Sequence, residues 1–173
     1  MSGRWIALAG FMGAGKSSVG RRVAARLDVP FVDSDREIEE GAGLTIPEIF
    51  DSRGELWFRR TEEAVIREIV ARNPAGVVAL GGGALESAKT RDVLSRLAHV
   101  VWLRVTPDVA WGRVQGSDRP LARDRGRFDR RAAAREATYR DAADLMVDAD
   151  EPPDEVAGRV TAWAVARGRQ ETP

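Results

Sequence analysis

The sequence predicts an α/β protein: a parallel sheet of about five strands with helices packed on both faces. Three observations carry that prediction. Short apolar runs alternate with stretches of helical periodicity along the whole chain. The first such pair forms a βαβ unit with a glycine-rich loop, Gly10 to Ser17, at its first turn. A second glycine run, Gly81-Gly82-Gly83, follows the third apolar run without a break.

Trp5-Ile6-Ala7-Leu8-Ala9 is apolar throughout and stops at Gly10, the pattern of a strand buried on both faces. Val19, Val23, Ala24 and Leu27 then recur at helical spacing, giving a helix from about Gly15 to Leu27. Pro30-Phe31-Val32-Asp33 reads as a second buried strand ending in an acid. Thr45-Ile46-Pro47-Glu48 is a capping box with proline in the first turn, and Ser52-Arg53-Gly54-Glu55 reads as a second box opening a longer helix to about Arg72. Val77 to Leu80 is the third strand. A helix at about 86–97, a strand from His99 to Arg104 and a helix from Thr106-Pro107 follow. From Gln115 to Arg127 the chain is polar and lacks apolar periodicity, as expected of a surface segment able to act as a lid. A helix at about 128–142, a strand at Leu145-Met146-Val147 and a helix from Pro152-Pro153 to about Ala166 complete the chain.

Length and composition narrow the chemistry. The 173 residues suit one compact domain, and 27 basic against 27 acidic residues give no cationic field for nucleic acid or an anionic membrane. Cysteine is absent and His99 is the sole histidine, which excludes disulfides, thiolate catalysis, cysteine–zinc sites and a Ser-His-Asp triad. His99 precedes an apolar strand and is expected to be structural; Trp57, Trp102, Trp111 and Trp163 sit among apolar positions, as core residues do. Arg4 followed by an apolar run imitates a signal peptide, but the run is too short, and no later stretch reaches membrane-spanning length. A cytoplasmic monomer is expected.

Gly10-x4-Gly15-Lys16-Ser17 fits the Walker A spacing, and the flanking strand and helix are the context that pattern requires. Successive backbone N–H groups from Gly13, Ala14, Gly15, Lys16, Ser17 and Ser18 can converge on the phosphates of ATP, aided by the helix N-terminus. Lys16 is expected at the β and γ phosphates and Ser17 on Mg2+. The strands at 77–80 and 99–104 end without a carboxylate, whereas Asp33-Ser34-Asp35 follows the second strand. Asp33 is therefore the candidate second magnesium ligand, leaving Asp35 for the acceptor or for capping the next helix. Gly81, Gly82 and Gly83 lie where open α/β sheets bind ligands and would admit a small polar molecule close to the backbone. Arg59, Arg60, Arg119, Arg135 and Arg140 are candidate anion grips, each weak taken singly.

In this order the motifs resemble those of the shikimate kinase family. The matching stretches are Gly10 through Gly20, Asp33-Ser34-Asp35, Ile46-Pro47-Glu48-Ile49-Phe50, Gly54-Glu55-x-x-Phe58-Arg59-x-x-Glu62, Leu80 through Ala84, Arg119-Pro120-Leu121 and Arg135-x3-Tyr139-Arg140. They cover about residues 4–166. The resemblance implies a three-layer P-loop NTPase fold, nucleoside-monophosphate-kinase-like, with a five-stranded parallel sheet of order 2-3-1-4-5. It implies one kinase domain over 1–173, with an acceptor-binding region near 34–61 and a lid near 114–125. The implied reaction moves the ATP γ-phosphoryl group to the 3-hydroxyl of shikimate, with Asp35 as base or orienting group. Lys16 and Arg119 would act on the phosphates, Arg59 and Arg140 on the shikimate carboxylate, and the three glycines along the ring. Glu62 would support Arg59, while Arg113 and the loop around Pro153 would form the adenine side. Two departures from the family pattern stand out: Ala137-Thr138 in place of Pro-Leu, and Gly116-Ser117-Asp118 before Arg119.

Two other readings stay open at this level. One is a different small-molecule kinase on the same fold, acting on an aminoshikimate, gluconate or a nucleoside monophosphate. The other is a non-catalytic ATP-dependent switch, against which Asp35 and the arginines speak.

Overall fold

The computed structural model describes residues 3–115 and 124–170. Its strands are β1 (Trp5–Ala9), β2 (Phe31–Asp33), β3 (Val77–Ala79), β4 (Ala98–Arg104) and β5 (Leu145–Asp148). The helices are α1 (Lys16–Leu27), α2 (Ser34–Ala42), α3 (Ile46–Ala71), α4 (Ala88–Leu97), α5 (Pro107–Val114), α6 (Arg125–Ala142) and α7 (Pro153–Gln170), with a 3-10 turn at Ala84–Glu86. All strand pairs are parallel, in the order β2-β3-β1-β4-β5, as the family resemblance implied.

Side-chain alternation along the strands builds two core layers. Trp5, Ala7 and Ala9 of β1 face one way and join Val78, Val100 and Trp102 against Ile66 and Ile69 of α3, Leu94 of α4, and Phe128 and Tyr139 of α6. Ile6 and Leu8 face the other way, with Val77, Val101 and Leu103, against Val19 and Val23 of α1 and Val156 and Val160 of α7. Because β1 is covered on both sides it has to be apolar at every position, which is why its ends were readable from sequence. Ile38, Ile49 and Phe58 form a third, smaller cluster between α2 and α3, apart from the sheet. It supplies the apolar floor of the region near 34–61. Trp102 is buried in the first layer, and His99 is buried with its ring edge-on to Trp163 at 5.7 Å and Nδ1 4.0 Å from Asp144.

Two helix starts differ from expectation. Thr45 and Glu48 do form the capping box, but Ser52 does not cap the second helix: its hydroxyl donates to the Glu48 carbonyl at 2.5 Å. The chain instead bends at Gly54, whose φ of 80° and ψ of 166° break the helical geometry inside α3. The expected longer helix thus begins after Gly54 and runs to Ala71. α6 starts three residues before the apolar pattern begins, because Asp124 caps it by accepting from the Arg127 N–H at 2.9 Å. The core of the expected lid, including Arg119, lies outside the described residues. Among the described residues no helix is long and apolar enough to cross a membrane.

Candidate active site

Parallel pairing places the C-terminal ends of β1, β2 and β3 on one edge of the sheet, so the loops that follow them meet there. The loop after β1 is held in shape by its glycines. Gly13 and Gly15 have φ of 83° and 82°, conformations that side chains disfavour. A Cβ on Gly13 would also stand 2.6 Å from the Ala110 carbonyl oxygen, because α5 presses against the loop. Lys16 Nζ donates to the carbonyls of Gly10 at 2.8 Å and Phe11 at 3.2 Å, which draws the ammonium over the loop it must serve. Lys16, Ser17 and Ser18 form the first turn of α1, where backbone N–H groups point out of the helix end. The Ser18 hydroxyl itself turns away and accepts from Arg22.

The loop meets the strand-end acid directly. The Ser17 hydroxyl donates to Asp33 Oδ2 at 2.5 Å, while Asp33 Oδ1 accepts from the Asp35 N–H at 3.2 Å and so caps α2. Asp33, not Asp35, is therefore the helix cap, and its two oxygens do separate jobs. A hydroxyl and a carboxylate brought together beside a phosphate-binding loop are the donor set that Mg2+ takes, with phosphate and water filling the remaining positions. On the far side of the loop, Arg113 donates to the carbonyls of Gly13 at 3.1 Å, Ala149 at 2.8 Å and Asp150 at 3.1 Å. It ties the loop to the turn between β5 and Pro153, the first residue of α7.

Of the three glycines after β3, Gly81 and Gly83 make room for charged groups, and Gly82 lies beside one. A Cβ on Gly81 would lie 2.5 Å from Glu62 Oε1 and 2.6 Å from Asp35 Oδ1. One on Gly83 would lie 2.5 Å from Arg59 Nη1, and one on Gly82 would lie 3.7 Å from Arg135 Nη1. The run thus gathers two carboxylates and two guanidinium groups from α2, α3 and α6 around bare backbone. Ser34, wholly buried, fixes the run by accepting from the Gly81 N–H at 3.0 Å, and Tyr139 fixes it by donating to the Gly82 carbonyl at 2.6 Å.

Each arginine arrives with its own carboxylate. Arg59 donates to Glu62 Oε2 at 2.7 Å, and Arg135 Nε donates to Glu86 Oε1 at 2.5 Å. Burial pushes the Glu62 carboxyl above its ordinary value, and the nearby Asp35 charge adds to this against the pull of Arg59. Burial also lifts the Tyr139 phenol, to about 12, so it stays a hydrogen-bond donor at neutral pH.

Arg140 does not join this cluster. Its side chain is 62% exposed and pairs with Glu136 one turn back at 2.7 Å. Arg135, five residues earlier, is the α6 arginine at the glycine run. The signal was present in the sequence: Phe128, Ala132, Arg135 and Tyr139 are spaced four, three and four apart, which sets them on one face of the helix, and Phe128 and Tyr139 are core aromatics. Arg140, next to Tyr139, is turned away from that face. Ser34 and Glu86 were not singled out from sequence, since a serine after an acid and a glutamate after a turn have no distinctive spacing.

Known proteins resemble this chain in sequence and fold. The family model described as shikimate kinase matches residues 12–164. A shikimate kinase of Bradyrhizobium diazoefficiens is 43% identical over 160 residues, 90% of this chain and 77% of that protein. One of Nitrobacter winogradskyi is 45% identical over 156 residues, 88% of this chain and 72% of that protein. The crystal structure of shikimate kinase from Acinetobacter baumannii in complex with shikimate superposes with a TM-score of 0.90 at 32% identity, covering 96% of this chain and 95% of that one. With fold, phosphate loop and family model in agreement, the chain belongs to the shikimate kinase family.

Proposed function

We propose that the chain transfers the γ-phosphoryl group of ATP to the 3-hydroxyl of shikimate, releasing ADP. The observation that carries this reading is the convergence of Asp35, Arg59 and Arg135 on the glycine run beside the phosphate loop. Two forked guanidinium groups suit an acceptor bearing one carboxylate, and the bare glycine backbone suits a flat ring with several hydroxyls. Asp35 takes the proton of the attacking hydroxyl. The acceptor oxygen then bonds to the γ phosphorus as the bond from that phosphorus to the β–γ bridging oxygen breaks. Phosphoryl transfer of this kind needs alignment and charge neutralisation more than covalent help. Lys16 supplies positive charge at the phosphates, Ser17 and Asp33 hold Mg2+, and Arg113 with the turn before Pro153 borders the adenine side. Mg2+, when bound, offsets the negative charge shared by the transferred phosphate. Arg59 and Arg135, in place of Arg59 and Arg140, hold the acceptor carboxylate.

Action as a monomer belongs to the same reading, and both substrates are soluble metabolites, which supports a cytoplasmic setting. The test is ADP release by the purified protein with ATP and Mg2+, comparing shikimate, gluconate, CMP and AMP. Release is expected with shikimate and at background with the others. Absence of shikimate-dependent release, or a larger response to gluconate or a nucleotide, overturns the reading.

A further inference from the structure

Glu86 follows the glycine run by three residues, on a turn whose backbone is tied at both ends. Its N–H donates to the Gly83 carbonyl at 3.0 Å, and Arg91 Nη1 donates to the carbonyls of Leu85 at 2.6 Å and Glu86 at 3.0 Å. The backbone that carries the carboxylate is therefore fixed relative to the glycines. It accepts from Arg135 through Nε, at 2.5 Å. An arginine presents its donors in a fixed planar fork, so the atom at which one partner binds decides where the others point. With Nε held by Glu86, Nη1 is left facing Gly82, where the acceptor lies in the reading above. The guanidinium also sits 5.7 Å from the Phe11 ring centroid and shares a side-chain hydrogen bond with Tyr139.

The electrostatics of the pair agree with this geometry. Burial would raise the Glu86 carboxyl, yet the hydrogen bond and charge of Arg135, with Arg131 and Arg59 behind it, hold it below its ordinary value. Glu86 is thus ionised when Arg135 needs a partner. Arg135 is 7% exposed, so an unpaired guanidinium there would be costly, and a stray anion from solvent would compete with the acceptor.

We propose that Glu86 is a positioning residue for the acceptor: it occupies the Nε edge of Arg135 and thereby aims the Nη edge at the acceptor carboxylate. This rests on Arg135 gripping that carboxylate. Glu86→Ala removes the anchor, and Glu86→Asp keeps the charge but withdraws it by one methylene. The acceptor KM is expected to rise about tenfold in Glu86→Ala, the scale of losing an outer hydrogen bond that aims a ligating group. A smaller rise, about threefold, is expected in Glu86→Asp on the same grounds. The KM for ATP and the unfolding temperature of Glu86→Asp should stay at wild-type values.

The decisive measurement repeats both variants with a shikimate analogue carrying a hydroxymethyl group in place of the carboxylate. There the variants and the wild type should share one KM. An acceptor KM within twofold of wild type in both variants overturns the proposal. So does an equal rise for the analogue, or a parallel rise in the KM for ATP, each of which would mark a general structural effect. Should Glu86→Ala fail to fold, Glu86→Asp alone decides between these results. A wild-type protein without shikimate-dependent turnover would instead overturn the reading of the acceptor itself.

Discussion

Replacing Arg135 and Arg140 one at a time separates the arginine that the geometry favours from the one that the family resemblance assigned to the carboxylate. Arg135 is 7% exposed, is bonded through Nε to Glu86 at 2.5 Å and directs Nη1 at Gly82. On the proposed function, Arg135→Ala removes one of two grips on the acceptor carboxylate and leaves that carboxylate and Glu86 facing each other. Truncating one side of a buried, hydrogen-bonded charge pair costs about 2–4 kcal/mol of binding, or about 30- to 900-fold in kcat/KM. The loss should fall on the acceptor KM, with the KM for ATP unchanged. Arg135→Lys, which keeps the charge without the fork, should recover only part of it. Arg140 is 62% exposed and bonded to Glu136. An exposed pair at that spacing is worth about 0.3–0.5 kcal/mol of stability, so Arg140→Ala should leave kcat/KM within about twofold. The assay is steady-state ADP release against acceptor concentration, with thermal unfolding of each variant as a folding control. A tenfold or greater loss in Arg140→Ala, with Arg135→Ala near wild type, would refute the assignment.

Gly81→Ala should place a methyl group 2.5 Å from Glu62 Oε1 and 2.6 Å from Asp35 Oδ1, so one carboxylate has to move. Displacing the group that receives the proton costs about 100-fold in kcat; isothermal titration should still show normal ATP affinity, and an unchanged kcat would contradict the packing described. Glu62 gives a pH signature. Its folded pKa is raised by burial above the ordinary 4.5, so its contribution to stability is full below 4.5 and is lost as pH climbs through the folded value. Glu62→Gln should therefore flatten the fall in unfolding temperature on that alkaline side, and a steeper fall in the variant would show the sign to be wrong.

What was legible in the sequence was whatever one local pattern decides. Trp5 to Ala9 could be bounded to the residue because a strand covered on both faces tolerates no polar position and Gly10 ends it. The phosphate loop was legible because its spacing and its flanking strand and helix are both required. Asp33 stands out in the sequence because the strands at 77–80 and 99–104 end without a carboxylate, and the structure sets it against the Ser17 hydroxyl. The errors came where a choice depends on direction. Arg135 and Arg140 belong to one motif, and only their phase relative to Phe128 and Tyr139 tells them apart. Ser52 had the composition of a cap, yet α3 bends through Gly54 and the hydroxyl turns back to Glu48. Ser34 and Glu86 were invisible because their partners, Gly81 and Arg135, lie 47 and 49 residues away in the chain.

The charges around the glycine run are hard to explain by stability. Arg59 with Glu62 and Arg135 with Glu86 are pairs with at least one nearly buried member. Pairs of that kind are often no more stabilising than apolar residues of similar volume, because taking ions out of water offsets their attraction. A fold that needed only a stable edge would fill it as it fills the cluster of Ile38, Ile49 and Phe58, with hydrocarbon. The pairs make sense if the guanidinium groups have to be held, dry and correctly turned, before the acceptor arrives. Glycines at 81 and 83 belong to the same requirement, since a side chain at either would displace a charged group. Sequence pattern decides where the strand ends; the charged groups packed beside Gly81 and Gly83 decide that those two residues carry no side chain.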